Sequence, residues 1–178
     1  MRILALSLLF LPGCMPDDVK DTGATSEADT DTDTDTDTDT DTDSDSDQDI
    51  TGQWESTGAD LSPLLSDAGF TRVTASFEES GDYIVEAFYG GGSFEITGTY
   101  AVDTSTTPGT IAIQQATPSV ATAEGIWQVE ADGSMQYEVT QTDPNPDGYT
   151  PATVDGGFGT TSGPGLDAGD NLQIYRRP

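Results

Sequence analysis

Side chains able to do chemistry are few in kind. Histidine is absent and Cys14 is the single cysteine of the 178-residue chain. That excludes Ser-His-Asp and Cys-His catalysis, zinc held by His or Cys, and a disulfide framework together. Carboxylates, tyrosines and hydroxyls remain. The nearest approach to a catalytic set is a carboxylate pair of the glycosidase kind, with Glu78, Glu79, Glu86 and Glu95 as candidates. Strand alternation sets Glu86 and Glu95 opposite Val85 and Ile96, on the water face. A solvated carboxylate lacks the burial that raises a general acid's pKa. The expectation is no enzymatic activity, no catalytic residue, no cofactor and no metal.

The charge balance narrows the partners further. Aspartate and glutamate total 33 against 5 lysines and arginines. Fifteen of the acids precede Ile50; the 18 that follow meet only Arg72, Arg176 and Arg177. Such a surface repels nucleic acid and anionic lipid, so nucleic acid is excluded as a partner.

The elements that would position any site fall into three segments. Residues 1–13 begin with a charge at Arg2 and continue as an apolar run from Ile3 to Leu11. That run is too short to cross about 30 Å of hydrocarbon and suits the core of a signal peptide. It ends in Leu11-Pro12-Gly13-Cys14, which resembles the lipobox of bacterial lipoprotein signal peptides. The resemblance implies cleavage before Cys14 and acylation of that cysteine, with palmitate-like chains anchoring the protein to a membrane. The expected location is the bacterial cell envelope, at the outer membrane.

Residues 14–49 carry the repeat that starts at Asp29-Thr30-Asp31-Thr32. Aspartate at every second position leaves no apolar face to bury, which predicts a disordered, self-repelling acidic tether. Its Asp-x-Asp-x-Asp pattern lacks the glycine and glutamate that complete a calcium loop.

Residues 50–178 alternate apolar and polar side chains between turn signals. Ile50–Ser56 reads as a first strand with Trp54 on its buried side, and Leu61–Gly69 as a helical turn with Ser62 as cap and Pro63 at its start. Further strands are predicted around 71–77, 83–89, 94–102, 110–113, 126–129, 135–139 and 172–176, with a long loop over about 141–170. Eight short strands and almost no helix make an all-β closed barrel or sandwich.

Gly52-Gln53-Trp54 resembles the Gly-x-Trp signature of lipocalin-like barrels. Tyr100–Asp103, Pro108–Ile111, Gly125-Ile126-Trp127 and Leu172–Arg177 resemble a lipocalin-like domain of exported bacterial proteins. The resemblance implies an antiparallel up-and-down barrel. Trp54 would close one end under a late arginine, Arg176 or Arg177, with Arg176 taken as the closing residue. Phe77, Tyr83, Tyr100, Trp127 and Tyr137, with Phe88 and Phe94, then either line a cavity for a small apolar ligand or fill the core. The alternative is an interaction module that presents Gly156–Gly163, with Phe158 as exposed anchor, to an envelope protein.

Overall fold

The structure, a computed structural model, describes residues 48–178. The expected signal peptide, Cys14 and nearly all of the expected tether lie outside the described residues. Within them the chain is a single antiparallel sheet of eight strands in sequence order. These are β1 (Gly52–Thr57), β2 (Phe70–Phe77), β3 (Asp82–Tyr89), β4 (Gly92–Asp103), β5 (Gly109–Thr117), β6 (Ala121–Val129), β7 (Met135–Asp143) and β8 (Gln173–Tyr175). Each strand pairs with the next, as an up-and-down meander requires.

The sheet curls until its edges meet. Glu55 and Arg176 exchange two backbone hydrogen bonds of 2.8 Å, which joins β8 to β1. The barrel is nearly closed, because β8 spans only three residues. Above it the Asn171 side chain donates to the Val139 carbonyl at 3.0 Å and stands in for a missing strand bond to β7.

Between β1 and β2 lie a 3₁₀ turn (Gly58–Asp60) and the helix α1 (Pro63–Asp67). Proline sits at the first helical position, the Ser62 hydroxyl accepts from the Leu65 N–H at 3.4 Å, and Gly69 leaves at φ +92°. α1 follows the far end of β1, so it covers the barrel end opposite Gly52. Leu61, Leu65 and Phe70 face the core there.

Three strands run longer than their sequence suggests. β5 continues through Gln114–Thr117, β6 begins at Ala121, and β7 continues through Thr140–Asp143. These extensions are small or polar, so they carry no alternating signal, yet a paired neighbour satisfies their backbone groups. Ile50, expected in β1, lies before it and is 2% exposed against the barrel end.

Candidate functional site

One end of the barrel is sealed by the segment before β1. Gln48 pairs through its side-chain amide with both backbone groups of Val129, at 3.0 and 3.3 Å. The Trp54 indole N–H donates to the Ile50 carbonyl at 2.7 Å. Arg177, not Arg176, covers the indole, with its guanidinium carbon 4.3 Å from the ring centroid. Its nitrogens also donate to the Thr51 and Asp49 carbonyls at 3.0 and 3.3 Å.

The correction follows from alternation: Tyr175 points inward, so Arg176 points outward and Arg177 in again. Arg176 donates to Asp60 at 2.9 Å, and its contribution to closure is the backbone pair with Glu55. Gly52 is required by its φ of +102°, and a Cβ there would also push against the Arg177 guanidinium 2.7 Å away. Both fixed positions of the Gly-x-Trp motif therefore have a geometric task.

The inward aromatics pack on one another. Phe77 lies 6.4 Å from Tyr83, 5.0 Å from Tyr100 and 6.3 Å from Tyr137, and Tyr137 lies 5.6 Å from Tyr175. Trp127 is fully buried against Gly109 and donates to the Thr110 carbonyl at 3.2 Å. Phe94 contacts Phe70 at the α1 end. Phe88 does not belong to this set: it faces outward, under the Arg72 guanidinium at 3.9 Å.

Burial pushes the Tyr83 phenol up to about 12 and raises Tyr137 and Tyr175 above their ordinary value. All three remain neutral hydroxyls at physiological pH. Tyr137, Val85, Ile96, Ala123 and Val139 are only partly buried. Trp54, Phe77 and Met135, by contrast, are fully buried.

Sequence reasoning missed two interior polar groups. Ser56 on β1 is 0% exposed and Gln173 on β8 is 5% exposed. Ser56 Oγ and Gln173 Nε2 are buried without a hydrogen-bond partner. The available signal was period two, which places Ser56 on the face of Trp54 and Gln173 on that of Tyr175.

The long loop is pinned to the outside of the barrel. Glu138 on β7 is fully buried there, and its carboxylate accepts from the N–H groups of Gly159 and Thr161. Thr150 and Ser162 bridge the loop to itself, and Asn145 brackets Tyr149 with two further bonds. Phe158, expected as an exposed anchor, is half-buried. Pro151–Asp155 flank a groove of about 690 Å³ over the outer face of β4, β5 and β6.

The four carboxylate candidates lie on the outer face and in a turn, in contact with water. Glu86 and Glu95 are direct cross-strand partners on the outer face, and Glu78 and Glu79 are exposed in the β2–β3 turn. No cluster of three metal-ligating side chains occurs among the described residues. Fold and site together define an all-β, eight-stranded up-and-down barrel with one sealed end and an apolar, tyrosine-rich interior. In comparison with known proteins, the chain matches no family model, no curated sequence and no solved structure.

Proposed function

We propose that this protein is a lipid-anchored binding protein of the bacterial envelope, whose lipocalin-like barrel holds a small molecule. Leu11-Pro12-Gly13-Cys14 supplies the anchoring signal and the Asp/Thr tether lifts the barrel off the lipid. The barrel's outward positions include Gln53, Glu55, Thr74, Glu86 and Glu95, so it is apolar inside and polar outside, the reverse of a membrane-spanning barrel. One observation carries the binding reading: the contrast between an end sealed by Trp54 and Arg177 and interior walls at Val85, Ile96, Ala123 and Val139 that stay partly accessible.

Two measurements test it. Cys14→Ser is expected to abolish acylation and release the protein from the membrane fraction, read by mass and by fractionation; retention with an acylated mass refutes the anchor. Native mass spectrometry of the full chain is expected to show an added mass that denaturation removes. A bare mass under both conditions refutes the binding reading.

A second reading, an interaction module for an envelope protein, rests on the groove beside Pro151–Asp155, where Val102 is 38% exposed. A photo-crosslinker at Val154 that yields one adduct, beside a bare native mass, favours it.

A further inference from the structure

We propose that the groove beside Pro151–Asp155 docks an extended peptide segment of another protein, one carrying basic side chains on either side of a small aliphatic one. This rests on the interaction reading above and names the partner's chemistry; it does not depend on a ligand inside the barrel.

The groove lies on the outer face of β4, β5 and β6, and their register fixes what it presents. Asp103 pairs with Thr110 and Thr110 with Ile126; two residues along, Ala101 pairs with Ala112 and Ala112 with Glu124. Alternation turns all six outward, since Ile111 and Ile113 are buried in the core. Small side chains at Ala101 and Ala112 leave the sheet surface low, and the long loop raises a wall beside it at Pro151–Asp155. Ile126 and Ala152 are buried at the foot of that wall, whereas Ala101 and Ala112 are exposed. The result is a trough of about 690 Å³ with a largely aliphatic floor.

The charges sit at its margins. Asp103 and Glu124 occupy opposite corners of the patch and Asp155 stands on the wall, all three exposed. A strand spacing of about 4.8 Å and a rise of about 3.4 Å per residue put the Asp103 and Glu124 backbones about 12 Å apart. They are too far apart to share one metal ion, and no metal-holding group occurs among the described residues. One ammonium cannot bridge them either. In an extended chain, residues four apart face the same way at about 13 Å, with a third side chain midway on that face. Lysine or arginine at the two ends then meets Asp103 and Glu124, and an aliphatic side chain between them lies over β5 at Ala112.

The chain's own cations do not compete. In residues 48–178 they are Arg72, paired with Glu55, and Arg176 and Arg177, held at Asp60 and Trp54. Charge also selects among partners. A second copy of this chain, at a net charge of −28, is repelled, as are nucleic acid and anionic lipid. A basic segment is drawn in, by an attraction that salt weakens.

The test is an NMR titration of the ¹⁵N-labelled full chain with the peptides Lys-Thr-Val-Thr-Lys, Glu-Thr-Val-Thr-Glu and Lys-Thr-Ser-Thr-Lys, and with spermidine. Site-resolved amide shifts separate the groove from the acidic repeat near the N-terminus, which any polycation meets. The first peptide is expected to shift the Ala112, Glu124 and Val154 amides and to bind there about tenfold more tightly than the other probes. Asp103→Asn combined with Glu124→Gln is expected to weaken it about fivefold, and Ala112→Arg, which fills the floor with a cation, to abolish the shifts. All three positions are exposed, so the barrel is expected to stay folded. Equal binding of spermidine overturns the proposal by making the margin a diffuse field, and equal binding of the acidic peptide overturns it by making charge irrelevant. No groove shift with any probe overturns it as well. The photo-crosslinker at Val154 then judges the reading beneath it: one adduct keeps the interaction module with a partner of other chemistry, and none removes both.

Discussion

At the scale of residues, the run Gly125-Ile126-Trp127 shows how one tripeptide serves three environments. Trp127 fills the interior, where Gly109 makes room for its indole. Ile126 points outward and is still only 1% exposed, because it lies under the long loop's groove with Ala152. Gly125 is the position where β7 comes closest: a Cβ there would overlap the Glu138 carbonyl oxygen. That neighbour is backbone in a paired strand and cannot swing aside. Gly125→Ala is therefore expected to destabilise the barrel by about 1–3 kcal/mol or more, read from urea unfolding. An unchanged midpoint would mean that β6 and β7 separate more readily than their register implies. Gly133, at φ +80° with open space around it, is the contrasting case: its requirement is the turn, not the packing.

At the scale of elements, the long loop behaves as a packed element, and Glu138 is the reason. Its carboxylate accepts from two loop N–H groups, Gly159 and Thr161, while fully buried on the outer face of β7. Hydrogen bonds to a charged group contribute about 1.5–3 kcal/mol each, and removing the acceptor also orphans the donors. Glu138→Ala is expected to free the loop before it unfolds the barrel. Limited proteolysis should then cut within residues 144–172 while the barrel resists, and Glu138→Gln should fall between wild type and alanine. Simultaneous loss of loop and barrel protection would show that the loop is part of the cooperative core. The coupling has a route, since the Leu64 N–H of α1 donates to the Asp170 carbonyl at 2.9 Å.

At the scale of the whole molecule, the pH response follows from its inventory. No histidine titrates near neutrality. Tyr83, Tyr137 and Tyr175 hold their protons more tightly when folded, because burial disfavours the phenolate. The unfolded chain releases those protons first, near pH 10. The stability these groups contribute is complete below that pH and is lost as pH rises toward about 12, where folded Tyr83 titrates. Urea midpoints are expected to hold level from neutral pH to about 9 and to fall beyond 10, with phenolate absorbance appearing together with unfolding. Phenolate absorbance from all six tyrosines before any loss of structure would contradict the buried placement.

The sequence by itself determined the number of strands and the turns between them. Those depend on alternation and on local breakers such as Asp132-Gly133, which act within a few residues. It also determined that Trp54 is buried and that Glu86 and Glu95 lie on the outer face. Tertiary structure alone decided which arginine covers the indole, because Arg176 and Arg177 differ only in the face each presents once β8 meets β1. It decided that Glu138 is buried on an outer face, and that the Ser56 hydroxyl and Gln173 amide are left unpartnered among the described residues. Each of these depends on what a distant segment brings alongside: 138 against 159–161, and 56 against 173–175. Periodicity reports which face a residue is on; only closure of the barrel reports what covers that face.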